Sequence, residues 1–122
     1  MAGFNTYRET IVWQKAMAFV TAIYKITSSF PTSEQFTLTS QMRRSAISIP
    51  SNVAEGFGRR STGDFVRFLQ ISTGSLYELQ TQVEIAFNLQ YVSKEDYDSL
   101  FSQSREIERL LSSLIQKLKE KL

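Results

Sequence analysis

The stretch Phe65-Val66-Arg67-Phe68-Leu69-Gln70-Ile71-Ser72-Thr73-Gly74-Ser75-Leu76-Tyr77-Glu78-Leu79-Gln80-Thr81-Gln82-Val83-Glu84-Ile85-Ala86 decides the architecture. Its positions Phe65, Leu69, Ser72, Leu76, Leu79, Val83 and Ala86 recur at alternating intervals of four and three, the seam of a helix packed against other helices. Working outward, the same spacing appears in Val12, Ala16, Phe19, Ile23 and Ile26, with Trp13, Val20 and Tyr24 widening the stripe. It returns in Met42, Ala46, Ile49, Val53 and Phe57, and again in Leu100, Ser104, Ile107, Leu111, Leu114 and Leu118. No strand-like alternation competes, so four helices are expected. Short connections between them favour an all-α, antiparallel, up-down-up-down four-helix bundle in which residues 1–122 form a single domain.

The boundaries carry their own chemistry. Thr6 with Glu9, Thr32 with Gln35, Ser61 with Asp64 and Ser93 with Asp96 have the spacing of capping boxes, so these pairs are expected to start the four helices. Val92 and Tyr97 add a hydrophobic staple to the last. Pro31 prevents helix 1 from running on, and Gly58 is expected to end helix 2 in the left-handed conformation. Helix 3, at about 28 residues, would be about 42 Å long.

Helix 2 contains the segment that core packing alone does not explain, Ser48-Ile49-Pro50-Ser51-Asn52-Val53-Ala54-Glu55-Gly56-Phe57-Gly58-Arg59-Arg60-Ser61. Pro50 removes a helical hydrogen bond and crowds the carbonyl of Ala46, at a cost of roughly 3 kcal/mol, so the helix is expected to be perturbed there. Ser48, Asn52, Glu55 and Arg59 share one face, and helix 3 offers Ser75 and Glu78 in answer. Asn52, Glu55, Arg59, Ser75 and Glu78 are therefore expected to form a polar packing or assembly network, with Gly74 marking close approach by a neighbouring helix or chain. A second apolar line on helix 2 (Ile47, Pro50, Ala54, Phe57) and off-seam residues on helix 3 (Phe68, Ile71, Ile85, Leu89) suit self-association, or else a wide core face.

Composition removes most catalytic chemistry. The 122 residues include no histidine and no cysteine, which excludes imidazole bases, thiolate nucleophiles, disulfides and the usual transition-metal ligands. Glu55 and Glu78 alone do not make a di-iron site, and Gly56-Phe57-Gly58-Arg59-Arg60-Ser61 matches neither a dinucleotide loop nor a P-loop. The expectation is a non-enzyme without cofactor or metal. With 42% hydrophobic residues, no long apolar run and no leader pattern over residues 1–9, a cytoplasmic protein without membrane spans is expected.

The net charge of +2 is small, but an antiparallel bundle would distribute it unevenly. One end gathers Arg8, Arg59, Arg60, Arg67, Lys117, Lys119 and Lys121 against Glu9, Glu55, Asp64 and Glu120. The other holds Lys25 and Lys94 against Glu34, Glu84, Glu95, Asp96 and Asp98. Arg43 and Arg44 fall about 24 Å from the basic end along helix 2. Arg59, Arg60, Arg67, Lys117, Lys119 and Lys121 are thus the candidate nucleic-acid-binding residues, the alternative being that they solvate the end of a scaffold or pair across subunits.

The ordered set Val12-Trp13-Gln14-Lys15-Ala16, Phe30-Pro31, Leu38-Thr39-Ser40-Gln41-Met42-Arg43-Arg44-Ser45-Ala46, Ser48 to Gly56 and Gly74-Ser75-Leu76-Tyr77-Glu78-Leu79 resembles the four-helix-bundle family of the 23S rRNA intervening-sequence protein. The resemblance implies a homopentamer without an established catalytic role. It also implies similarity to the accessory variability proteins of diversity-generating retroelements, pentameric basic bundles that bind nucleic acid and a reverse transcriptase. The partners this suggests are further copies of the chain, RNA or DNA, and a second protein.

Overall fold

The computed structural model describes residues 5–122; residues 1–4, part of the segment in which no leader pattern is read, lie outside them. Four α-helices carry the periodic segments: α1 (Ile11–Thr27), α2 (Leu38–Phe57), α3 (Thr62–Asn88) and α4 (Lys94–Lys119). Each packs on its sequence neighbour and α4 closes back on α1, while the backbones of the diagonal pairs α1–α3 and α2–α4 stay more than 8 Å apart between Cα atoms. This is the up-down-up-down bundle. Antiparallel register is visible in the side-chain pairs: Ser45 meets Glu78 and Ser48 meets Ser75, so α3 partners descend as α2 ascends. Gln80 with Ser104 and Tyr77 with Glu108 show the same between α3 and α4.

The seams become one continuous core. Ala16, Phe19 and Ile23 meet Met42, Ala46, Ile49 and Val53, then Leu69, Leu76, Leu79 and Val83, then Leu100, Ile107 and Leu111, all almost wholly removed from water. Burying each large aliphatic or aromatic side chain contributes about 1.5–3 kcal/mol, which offsets the entropy of ordering helices that would be marginal alone. The two serines on the seams are satisfied within it. Ser72 donates to the Ile49 carbonyl at 2.8 Å, and Ser104 donates to the Phe101 carbonyl at 2.7 Å while accepting from Gln80.

Two helix starts follow the capping motifs and two do not. Ser61 accepts from the Asp64 N–H at 3.0 Å and Ser93 from the Asp96 N–H at 3.1 Å. Thr6, by contrast, caps only a 3₁₀ turn, Tyr7–Glu9, and α1 is capped by Thr10, whose hydroxyl accepts from the Trp13 N–H. Thr32 begins another 3₁₀ turn, Thr32–Glu34, after the extended Pro31, so α2 starts later than the motif suggests, at Leu38. There the Glu34 carboxylate does the capping, accepting from Thr37 Oγ1 at 2.6 Å and the Leu38 N–H at 3.4 Å. The polar hydroxyl pattern is the same in each case, but local backbone geometry selects which oxygen reaches an orphan N–H.

Two glycine expectations are also redistributed. Gly58 is right-handed (φ −80°, ψ −4°), since its N–H and that of Arg59 close the last turn of α2 on Ala54, Glu55 and Gly56 carbonyls. The left-handed stop lies instead at Gln90 (φ 64°), where the Tyr91 N–H bonds the Ala86 carbonyl and the Gln90 N–H the Phe87 carbonyl, a Schellman closure of α3. Among the described residues, no neighbouring helix of this chain comes within 4 Å of a Cβ placed on the exposed Gly74. The close approach is at Gly56, where such a carbon would sit 2.7 Å from Phe68 Cβ. α2 continues as one helix from Leu38 to Phe57 through the buried Pro50.

Candidate nucleic-acid interface

The basic end is assembled by three chain segments far apart in sequence. α2 terminates in the Gly58–Arg60 turn, Ser61 adopts an extended conformation (φ −112°, ψ 148°) and caps α3, and the last turns of α4 come alongside. Between them lies a recess of about 180 Å³ lined by Phe57, Arg59, Arg60, Ser61, Thr62, Phe65, Leu118 and Lys121. An adjoining hollow of about 500 Å³ between the start of α1 and the end of α4 is walled by Ile11, Leu110, Leu114 and Leu118, with Lys117, Glu120 and Lys121 along it.

The six cations picked out by the sequence have distinct placements. Arg59, Arg60 and Lys121 share the recess, and Lys117 and Lys121 share the hollow; Lys119 lines neither. Arg59 is partly committed: it binds Glu55 at 2.9 Å, both groups about half exposed, and its guanidinium lies 4.6 Å from the Phe68 ring centre. Arg67 lies 4.7 Å from the same ring and 3.7 Å from the Asp64 carboxylate, on the outer face of α3 rather than in the recess. Among the described residues, Arg60, Lys117, Lys119 and Lys121 have no carboxylate partner.

The polar residues of the Pro50 segment form separate contacts, not a single network. Asn52 Nδ2 donates to the Ser48 carbonyl at 2.8 Å and to Ser48 Oγ at 2.9 Å, and Ser48 Oγ meets Ser75 Oγ at 2.8 Å. Glu78 accepts from Ser45 Oγ at 2.7 Å, while the Glu55–Arg59 pair stands apart at the helix end. Ser45 has no place in the sequence reading, because only the crossing of α2 over α3 turns it toward Glu78.

Arg43 is the other side chain whose role sequence reasoning misses. Its Nε donates to Thr27 Oγ1 at 2.9 Å and an Nη to the Tyr24 carbonyl at 3.3 Å, with the guanidinium stacked 4.5 Å from the Tyr24 ring centre. A cation therefore closes the carbonyl end of α1, where the helix dipole is negative. The available signal was its position opposite the end of helix 1 in an antiparallel hairpin.

At the acidic end, hydrogen bonds tie one interhelical loop to the other. Glu34 receives Thr37 and Tyr91 hydroxyls, and these bonds hold its carboxyl below the ordinary value; the same contact pushes the Tyr91 phenol up. Glu84 similarly raises Tyr97. Among the described residues no group of three or more acidic side chains is placed to hold a metal ion, and no helix is long and apolar enough to cross a membrane.

Fold and site together define an all-α bundle with a cationic end built from the α2–α3 turn and the α4 terminus. The chain belongs to the 23S rRNA-intervening sequence protein family, whose model it matches over residues 8–113. It is also similar to the solved structure of a protein of unknown function from the S23 ribosomal protein family of Bacteroides thetaiotaomicron, with 28% identity and a TM-score of 0.81. That likeness covers 87% of this chain and 96% of the other. No curated protein sequence matches it.

Proposed function

We propose that the protein is an oligomeric, non-enzymatic bundle that binds RNA or DNA through its basic end, as an accessory to another protein. The observation that carries this reading is the convergence of Arg60, Lys117 and Lys121, from distant parts of the chain, without a carboxylate partner among the described residues. Clustered cations repel one another, and a polyanion relieves that repulsion while releasing its condensed counterions. The rRNA and ribosomal names of the family and of the solved relative are in keeping with an RNA setting. A non-enzymatic role agrees with the lack of histidine and cysteine and with the use of Glu78, Ser48 and Ser75 in helix packing.

Oligomerisation is supported by two separate apolar surfaces. Trp13, Met17, Val20, Ile47, Pro50 and Ala54 line an open furrow between α1 and α2, and Ile71, Ile85 and Leu89 project from α3. These surfaces also favour the second reading, a protein-interaction scaffold whose arginines only solvate its end. Salt titration of RNA binding separates the two. Affinity should fall steeply with salt and should weaken in the Arg59→Glu/Arg60→Glu variant. Absence of binding by micromolar protein at low salt, or indifference to the charge reversals, refutes the nucleic-acid role; a monomer mass at micromolar concentration refutes assembly.

A further inference from the structure

We propose that the basic end reads the phosphate backbone of a double helix and does not stack the bases of a single strand. The inference rests on the nucleic-acid reading above and specifies its substrate class. Proteins that hold single strands combine cations with free aromatic faces on which bases stack. Among the described residues, the rings near the cations are already engaged. Phe57 and Phe65 meet edge to face at 5.9 Å, and Phe65 is buried. Phe68 is only 7% exposed and carries both the Arg59 and Arg67 guanidiniums. Tyr7 and Trp13 pack edge to face at 5.2 Å, with Arg8 within 5.7 Å of both ring centres.

The well-exposed rings lie elsewhere. Phe36, 86% exposed, belongs to the loop between α1 and α2 at the acidic end, and Tyr77 lies midway along α3. What the basic end does present is Arg60, Lys117 and Lys121, together with the Ser61 hydroxyl, which accepts from the Asp64 N–H and keeps its own proton to donate. These are phosphate-binding groups, which position a backbone without reading sequence. A site that gains only from phosphates favours the ligand with the denser charge, and a duplex carries one negative charge per roughly 1.7 Å of axis, about twice that of one strand.

Fluorescence anisotropy with the full chain at low salt tests this, using a double-stranded RNA, a double-stranded DNA and an unstructured single strand of equal length. A duplex of either kind should bind at least about tenfold more tightly than the single strand. Its affinity should also fall more steeply with salt, because each neutralised phosphate contributes about 0.9 to the logarithmic slope for a duplex and about 0.7 for a single strand. Equal or tighter binding of the single strand overturns the inference and leaves the nucleic-acid role standing. Binding to none of the probes overturns that role as well. Arg60→Gln/Lys121→Gln should weaken duplex binding by about tenfold, and an unchanged affinity in this variant places the duplex on another surface and refutes the assignment.

Discussion

Replacing Gly56 with alanine should destabilise the bundle, although the same substitution in most helices does the reverse. The added carbon would sit 2.7 Å from Phe68 Cβ, 3.0 Å from Phe65 Cδ1 and 3.4 Å from the Phe65 carbonyl oxygen. Carbon atoms pack best at about 3.5–4.0 Å, so the deficit against Phe68 is about 1 Å. Phe68 Cβ is fixed to the backbone of α3, so a rotamer change gives no relief and the helices must separate. Overpacking of this kind costs about 1–3 kcal/mol, against about 1 kcal/mol gained in helix propensity. Because the clashing atom is fixed to the backbone, the cost falls in the upper half of that range, and the net loss should be about 1–2 kcal/mol, or a fall in thermal midpoint of roughly 4–8 °C for a chain of this size. Gly74→Ala is the matched control: with open space around that position, it should gain up to about 1 kcal/mol. Circular dichroism melts at one fixed protein concentration, which holds any association effect constant, measure both. A Gly56→Ala midpoint equal to or above that of the parent refutes the close-packing argument.

Removing the Arg43 guanidinium in Arg43→Ala leaves the carbonyl end of α1 and Thr27 without their partner and should cost about 1–2 kcal/mol in urea unfolding. Gln90→Gly should stabilise by about 0.5 kcal/mol, because relief of left-handed strain exceeds the added freedom of the unfolded chain; a loss in the same unfolding assay would refute it. The carboxyl of Glu34 is lowered in the fold, so its contribution is complete above its unfolded value near 4.5 and is lost as pH falls through the folded one. Glu34→Gln should therefore flatten the acid limb of a stability–pH profile. Tyr91, raised above 10.0 by the same contact, contributes below that value and loses its contribution as pH rises through the folded one, so Tyr91→Phe should flatten the alkaline limb.

The seams of α1 to α4 were legible because helical periodicity is a local property, and the core residues from Val12 to Leu118 follow it closely. The Ser61 and Ser93 caps were equally legible, since donor and acceptor lie three residues apart. Thr6 and Thr32 carry the same signature but cap no α-helix. An extended Thr10 interrupts the chain after the first motif and a non-helical Thr37 (φ −118°, ψ −102°) after the second, and propensity does not rank such competing local geometries. Of the candidate interface, the residue types and the basic end could be deduced once antiparallel order was assumed. The division of labour among its cations could not.

The amino-acid sequence by itself determined four helices, their order, their buried faces and the exclusion of imidazole and thiol chemistry, because these depend on composition and on spacings within one helix. Only the tertiary structure decided that Gly56 and not Gly74 is the point of contact, that Arg43 seals α1, and that Arg59 and Arg67 meet on Phe68 while Arg60 and Lys121 share a recess. Each of these depends on the distance between atoms of different helices. That distance is set by how the helices cross and pack, which no periodicity within a single segment encodes.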